Sequence, residues 1–261
     1  MSDNPTNGLY AVPRDINKLE DCYFYHTMDL PGYGTVQGEW DLRGRERSYL
    51  GNTDFKGKTV LEIGTASGHL CFYMEKQGAS ITAFDLCEKY EWDTVPFHGR
   101  GHQEKIQARK EHLQKLNNSY WLAHRAFNSK ARMVYGTVYQ MPEELGQFDI
   151  GTFGCVLLHL RDPFLAVQRA CEHIKDKIII TEAPHRLVDI SGIFHFPHMG
   201  KWVRFLPDAA SGYPDMSWWG LTPELLVEFV KILGFEKIKL SYHTQIFAGK
   251  KVRLYTVVGQ R

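Results

Sequence analysis

From Lys58 to Glu182 the chain alternates strand-length apolar runs with amphipathic stretches, and this alternation limits the fold more than any other feature. The runs lie near 58–63, 80–85, 131–136, 148–156 and 176–182, and helical spacing occupies 67–77, 101–127 and 163–174. Strands separated by helices with short connections call for a mainly parallel sheet covered on both faces. A last helix opens at Thr222-Pro223-Glu224, a good cap followed by proline in the first turn, and stops near Gly234. Two late strands, near 236–244 and 251–258, are joined by "IFAGKK" and read as a hairpin, so one edge strand should be antiparallel. The expected fold is α/β: a doubly wound, mainly parallel, seven-stranded sheet with an antiparallel edge strand.

With 261 residues, one domain with additions is the simplest division. Residues 1–50 read as an N-terminal arm and cap, with 1–15 a polar, mobile arm and the aromatic remainder lying over the domain. Residues 51–261 read as the main domain, with insertions at 87–128 and 183–220. A formal net charge of +1 gives no push toward nucleic acid or membrane. The N-terminus lacks a basic stretch followed by an apolar run, and no apolar run approaches the ~20 residues of a membrane span. The five cysteines form neither a C-x-x-C pair nor a disulfide spacing, which fits a reducing, cytoplasmic setting.

In an open α/β sheet, ligands bind beyond the carboxyl ends of the strands, so the turn after the first strand, in "VLEIGTASGHL", is the first candidate site. Its spacing matches neither G-x-G-x-x-G nor a P-loop. Glu62, two residues before Gly64, would repel a phosphate and attract an ammonium group. Asp85, at the tip of the next strand, is placed to accept the two hydroxyls of a ribose. A ligand with a ribose and an amino group but no phosphate is S-adenosylmethionine.

At these residues the chain resembles the class I S-adenosylmethionine-dependent methyltransferases, which have a Rossmann-like fold. "VLEIGTASG" is similar to their first motif with Ala66 for the middle glycine, "FDIGTFGCVLLHLRDP" to their fourth, and "IIITEA" and "WWGLTPELLVEFVKILGFEKIKL" to later elements. The lead-in "FYHTMDLPGYGTVQGEWD" resembles the branch that contains the tRNA wobble-uridine carboxymethyl transferases and bacterial relatives. The resemblance implies that Glu62, Gly64, Thr65, Ala66, Ser67 and Gly68 line the methionine and ribose, that Asp85 holds the ribose, and that Leu86 packs on the adenine. Relatives usually place Asp where this chain has Thr137, so Val138 backbone is expected to meet the adenine amino group. Cys155 should lie near the sulfonium.

His159 and His185 are the candidate bases, and they give a weak preference for O-methylation. The long segment before the last helix reads as a lid. Its Phe194, His195, Trp202 and Trp218, with Tyr25, His26 and Trp40 of the cap, are candidate walls of an apolar acceptor site. No metal site is expected, since Pro197 keeps His195 and His198 off a helix and no acid pair accompanies them. The expected acceptor is a small molecule. The alternative is a tRNA wobble-uridine methyl or carboxymethyl transferase, because residues 100–132 carry eight Lys and Arg against two Glu, with Tyr120 and Trp121 as stacking groups. The competing reading of that stretch is a solvated helix whose Ile106, Leu113, Leu116 and Tyr120 pack on the sheet or on a partner subunit. The cap and insertion also offer surfaces for a homodimer.

Overall fold

The computed structural model describes residues 8–184 and 200–261. Five parallel strands form the heart of the main sheet: β4 (Thr59–Ile63), β5 (Ser80–Asp85), β6 (Arg132–Tyr135), β7 (Phe148–Gly154) and β8 (Ile174–Glu182). The late hairpin, β11 (Lys237–Phe247) and β12 (Lys250–Gln260), adds two more, and β12 runs against β8. Ala248 and Gly249, at φ 48° and 74°, make the tight turn between them.

The sheet has eight strands, not seven. β3 (Trp40–Asp41) pairs antiparallel with Phe247 and Ile246 at the outer edge of β11. Two residues carry no period, so the strand is set by its partners: the hairpin edge on one side and the backbone of Tyr25 and Thr27 on the other. The order across the sheet is β3-β11-β12-β8-β7-β4-β5-β6. After β4 the chain moves outward to β5 and β6, then returns to β7 on the other side of β4. The crevice between β4 and β7 is the topological switch point at which such sheets bind ligands.

Successive strand residues feed opposite faces, as the two-residue period requires. Val60, Ile81, Ala83 and Ile179 belong to one core, with Leu70, Phe72 and Met74 of α2 (His69–Lys76) and Tyr120 and Trp121 of α3 (His102–Ala126). Leu61, Ile63, Phe84, Ile178 and Ile180 belong to the other, with Ala166 and Val167 of α4 (Pro163–Cys171) and Leu226 and Val230 of α5 (Pro223–Ile232). Asp162 and Thr222 cap these last two helices, and proline follows each cap.

The cap belongs to the first core through Met28 and Leu30 of β1 (Met28–Leu30), Val36 of β2 (Gly34–Val36), Trp40 and Leu42. Residues 8–15, expected to be mobile, lie against β6 and α3. Ala11 N donates to Met133 O at 2.8 Å, Arg125 meets Asp15 at 2.7 Å, and the Arg132 guanidinium lies over the Tyr10 ring. In the lid segment, β9 (Val203–Phe205) and β10 (Trp219–Leu221) pair as a small antiparallel sheet, too short to show periodicity in sequence. No helix among the described residues is long and apolar enough to cross a membrane.

Candidate active site

Three acids end strands of the main sheet: Glu62 near the tip of β4, Asp85 at the end of its neighbour β5, and Glu182 at the end of β8, beyond β7. Glu62 is 4% exposed, and its Oε2 accepts the Thr65 hydroxyl at 2.6 Å. Asp85 accepts the Ala66 amide at 2.8 Å on one oxygen and the Leu86 amide at 2.7 Å on the other. Both acids thus brace the turn from Gly64 to Gly68, and each keeps lone pairs for a ligand. Glu182 faces the other way, and its Oε1 accepts the Leu157 amide at 2.7 Å.

The turn itself needs left-handed backbone at Gly64 (φ 76°), Ala66 (φ 51°) and Gly68 (φ 88°). A Cβ on Gly64 would come within 2.4 Å of Val156 Cγ2, so glycine lets the turn close on the end of β7. Ala66 takes the same conformation with a side chain, a strain of about 1 kcal/mol or more of the kind that functional turns carry. Ser67 is fully buried, and its hydroxyl accepts the His26 amide at 3.0 Å, which ties the turn to the cap. The His26 ring approaches the same oxygen at 3.2 Å, and burial pushes its pKa down to about 3, so it is neutral.

A narrow cavity beside the turn is lined by His26, Tyr49, Glu62, Gly64, Gly154 and Thr181. Cys155, just past β7, is also left-handed at φ 54°, and Tyr25 and Tyr49 crowd its thiol. Tyr25 accepts the Trp40 indole N–H at 3.1 Å, and the Trp40 ring packs on Phe247 at 4.7 Å. On the adenine side, Leu86 carbonyl receives Asn117 Nδ2 at 3.2 Å, Val138 is buried, and Thr137 Oγ1 accepts the Tyr139 amide at 3.5 Å.

Above the strand tips stands a second group of residues. The 25 residues of α3 span about 37 Å, against about 20 Å for the six of β5, so the first half of the helix overhangs the sheet. His112 from that half packs on Tyr23 of the cap at 4.4 Å and on Trp92 at 6.2 Å. The Trp92 ring meets His159 edge-on at 5.9 Å. His159 Nδ1 lies 2.6 Å from Met216 O, a carbonyl that can only accept, so Nδ1 carries the hydrogen and Nε2 the lone pair. Burial, then the charge of Arg109, holds this imidazole below its usual pKa and neutral. Trp218 is 9% exposed; its indole donates to Asp93 O at 2.6 Å, and Arg161 covers its ring at 5.0 Å. Trp202 pairs through its backbone with Thr222. His185, Phe194 and His195 lie outside the described residues.

The sequence named the acids of β4 and β5 but not Glu182, Tyr49, Trp92, Arg109 or His112. Glu182 carried the same signal as the other two, an acid ending an apolar run. Trp92, Arg109 and His112 are brought together only by the overhang of α3.

Burial raises the Glu62 pKa to about 7, with the Asp85 charge adding to it, and raises that of Asp85 to about 6. Both carboxyls therefore hold protons in the folded protein at a pH where the unfolded chain has lost them. Stability from these groups is present at low pH and is lost as pH rises from the ordinary carboxylate range through about 7. The ligand-free protein is expected to lose on the order of 6 kcal/mol between about pH 4 and pH 8 from this source, about 3 kcal/mol from each carboxyl. The double variant Glu62→Gln, Asp85→Asn should flatten that slope, and urea unfolding at a series of pH values measures it. An equal slope in parent and variant would show that burial does not perturb the pair.

A family model described as a methyltransferase domain matches residues 36–212, well over half of the chain. The chain belongs to that family. The methyltransferase is thus of the S-adenosylmethionine-dependent kind, and its sheet has the architecture expected of one. No curated protein matches it in sequence. Among solved structures, it is similar to the N-terminal domain of EvdMO1 with S-adenosylhomocysteine and D-fucose, with TM-score 0.53 and 18% identity over 93% of this chain and 92% of that one. It is also similar to magnesium protoporphyrin IX methyltransferase from Synechocystis PCC 6803 with bound S-adenosylhomocysteine (0.51; 12%; 82% and 80%). The 1,6-didemethyltoxoflavin-N1-methyltransferase of Burkholderia thailandensis, with its toxoflavin precursor and S-adenosylhomocysteine, gives 0.50 and 14% over 84% and 77%. At these identities the methyltransferase shares their fold.

Proposed function

We propose that the protein methylates a hydroxyl on a small-molecule acceptor held between α3, the cap and the lid segment. The observation that carries the reading is the pair of strand-tip carboxylates bracketing a left-handed turn, together with one imidazole after β7 that is fixed in a single tautomer. The donor set fits S-adenosylmethionine: Glu62 receives an ammonium group, Asp85 a ribose diol, and the Gly64–Gly68 turn leaves room for close approach. When bound, that cofactor supplies a methyl group already activated by a sulfonium.

The protein's part is to align the acceptor and exclude water, for which well-oriented reactants gain an effective molarity of about 10⁵ M or more. His159 accepts the acceptor's hydroxyl proton at Nε2, and the Nδ1–H bond to Met216 O steadies the imidazolium that results. His185 remains a second candidate base. Cys155 and Tyr49 close the floor of the site, and Trp92, His112 and Trp218 wall the acceptor. The solved structures of similar fold support a small acceptor, since their ligands include a sugar and a toxoflavin precursor.

Features of α3 favour a small molecule over tRNA. Tyr120 is fully buried and Trp121 is 3% exposed, so neither offers a face for a base to stack on. Much of the basic excess is engaged within the chain: Arg100 on the carbonyls of Ala209, Ala210 and Ser211, Lys105 and Arg109 on Asp215, Arg125 on Asp15 and Arg132 on Tyr10. On the cap, Arg43 is likewise committed to Asp29 and Asp41.

The test is a screen of hydroxylated small molecules, with bulk tRNA included, for transfer of a labelled methyl group, followed by His159→Gln on any acceptor found. The expected loss in kcat is roughly 100-fold or more, the contribution of a positioned base. A His159→Gln enzyme of parental kcat would remove the base role, and transfer to tRNA alone would remove the small-molecule reading.

A further inference from the structure

A buried donor is left unmet on the side of α3 that faces Asp215. Arg109 lies on the overhanging half of α3, and its Nε–H has no hydrogen-bond partner among the described residues. The Arg109 side chain is only 24% exposed. Its Nη2 reaches Asp215 Oδ1 at 3.4 Å, beyond the about 2.7–2.9 Å of a charged hydrogen bond. Lys105 holds the other Asp215 oxygen at 3.3 Å. In a guanidinium, Nε and Nη2 form one flat edge that matches the two oxygens of a carboxylate. Here that edge is half used, at a loose distance, by an acid of the lid segment.

The edge is tied to His159. Met216, next in the chain to Asp215, receives the His159 Nδ1 hydrogen, and the Arg109 charge helps keep that imidazole neutral. Asp215 thus joins Arg109 to the stretch that holds His159, so a group bound on Arg109 is placed near that imidazole. Lys105 and Arg109 face Asp215 there, and Glu39 on the cap side is taken by the Tyr23 hydroxyl. Net charge does not choose the ligand in such a balanced setting. The unmet donor does.

We infer that the acceptor carries a carboxylate, bound on the Nε–Nη2 edge of Arg109, with Asp215 yielding that edge and staying on Lys105. This names the substrate class of the site proposed above and rests on that reading. Arg109 is then a specificity residue: it sets the acceptor in place while His159 takes the proton.

The test is isothermal titration of the full chain saturated with S-adenosylhomocysteine, using matched acids and amides: benzoate and benzamide, phenylacetate and phenylacetamide, indole-3-acetate and indole-3-acetamide. At least one acid is expected to bind about tenfold or more tightly than its amide. The preference should collapse in Arg109→Gln, shrink in Arg109→Lys, which keeps the charge but loses the flat edge, and grow in Asp215→Asn, which competes less for that edge. Binding of S-adenosylhomocysteine should stay within about twofold of the parent in all three variants, which shows that they fold. The inference is overturned by amides binding as well as acids in every pair, or by an acid preference that survives Arg109→Gln. A parent protein that does not bind S-adenosylhomocysteine would instead overturn the cofactor reading beneath it, so the two failures are told apart.

Discussion

Asp85→Ala is expected to weaken S-adenosylmethionine binding by about 100-fold or more, and Glu62→Ala by about 10-fold to 100-fold. The larger figure follows from what Asp85 does twice. It is placed to accept a ribose diol, and it already accepts the amides of Ala66 and Leu86, which hold the left-handed turn against the next strand. Its removal costs the ligand two charge-assisted hydrogen bonds, each worth about 1.5–3 kcal/mol, and loosens the turn as well. Glu62 is braced by Thr65 alone among the turn residues, so its loss leaves the backbone path more nearly intact. Isothermal titration on parent and variants, with a thermal melt to confirm folding, measures both. A folded Asp85→Ala protein that binds the cofactor as the parent does would sink the assignment of the site.

Glu182→Leu is expected to lower stability by about 3 kcal/mol, a fall in Tm of roughly 6–12 °C for a chain of this size. Leucine nearly matches the glutamate in volume, so packing is kept and the polar loss is isolated. The Glu182 carboxyl gathers the amide of Leu157 at 2.7 Å, with those of Val156, Leu158 and Ala183 turned toward it, all in a site that is 2% exposed. Burial lifts its pKa to about 8, while those amides pull the other way. Without it, buried donors at the start of the short 3₁₀ turn Leu157–His159 lose their acceptor. That turn carries His159, so the variant should lose turnover even at temperatures where it stays folded. Glu182→Gln keeps the accepting oxygen and should recover most of the stability. A Leu variant as stable as the parent would mean that the amides find other partners.

How much of this was legible beforehand depends on the range of the interactions involved. The parallel strands were readable because each is an apolar run bounded by turn residues, and both faces of the sheet are covered. The acids at the tips of β4 and β5 were readable for a related reason: a charge ending an apolar run marks where a strand leaves the core. Glu182 obeys the same rule and was passed over as the end of "IIITEA". Trp40–Asp41 gave no sign of joining the sheet, since the strand that brings it in is β11, some two hundred residues away. The proposed acceptor site was least legible of all. Trp92, Arg109 and His112 share no motif, and the fold alone carries the first half of α3 past the strand tips. The basic run of residues 100–132 read as surface charge because its partners, Asp15, Asp215 and a set of backbone carbonyls, are distant in sequence.

The stitching of β3 to the hairpin also sets an order of assembly. Ala248 N donates to Glu39 O at 2.7 Å, Gln245 reaches Arg45 O, and the hydroxyl of Thr256 reaches Tyr49 O across 207 residues. A ribosome extending the chain at about 5–20 residues per second makes the cap first and the hairpin tens of seconds later at the slower rate. Throughout that interval the cap has no edge to join, and the apolar side chains of Met28, Leu30, Trp40 and Leu42 lack much of the core they finally enter. Contacts this distant carry a large loop-closure cost and slow folding. The roof over the cofactor turn, synthesised before the hairpin it joins, is therefore among the last parts of the enzyme to set.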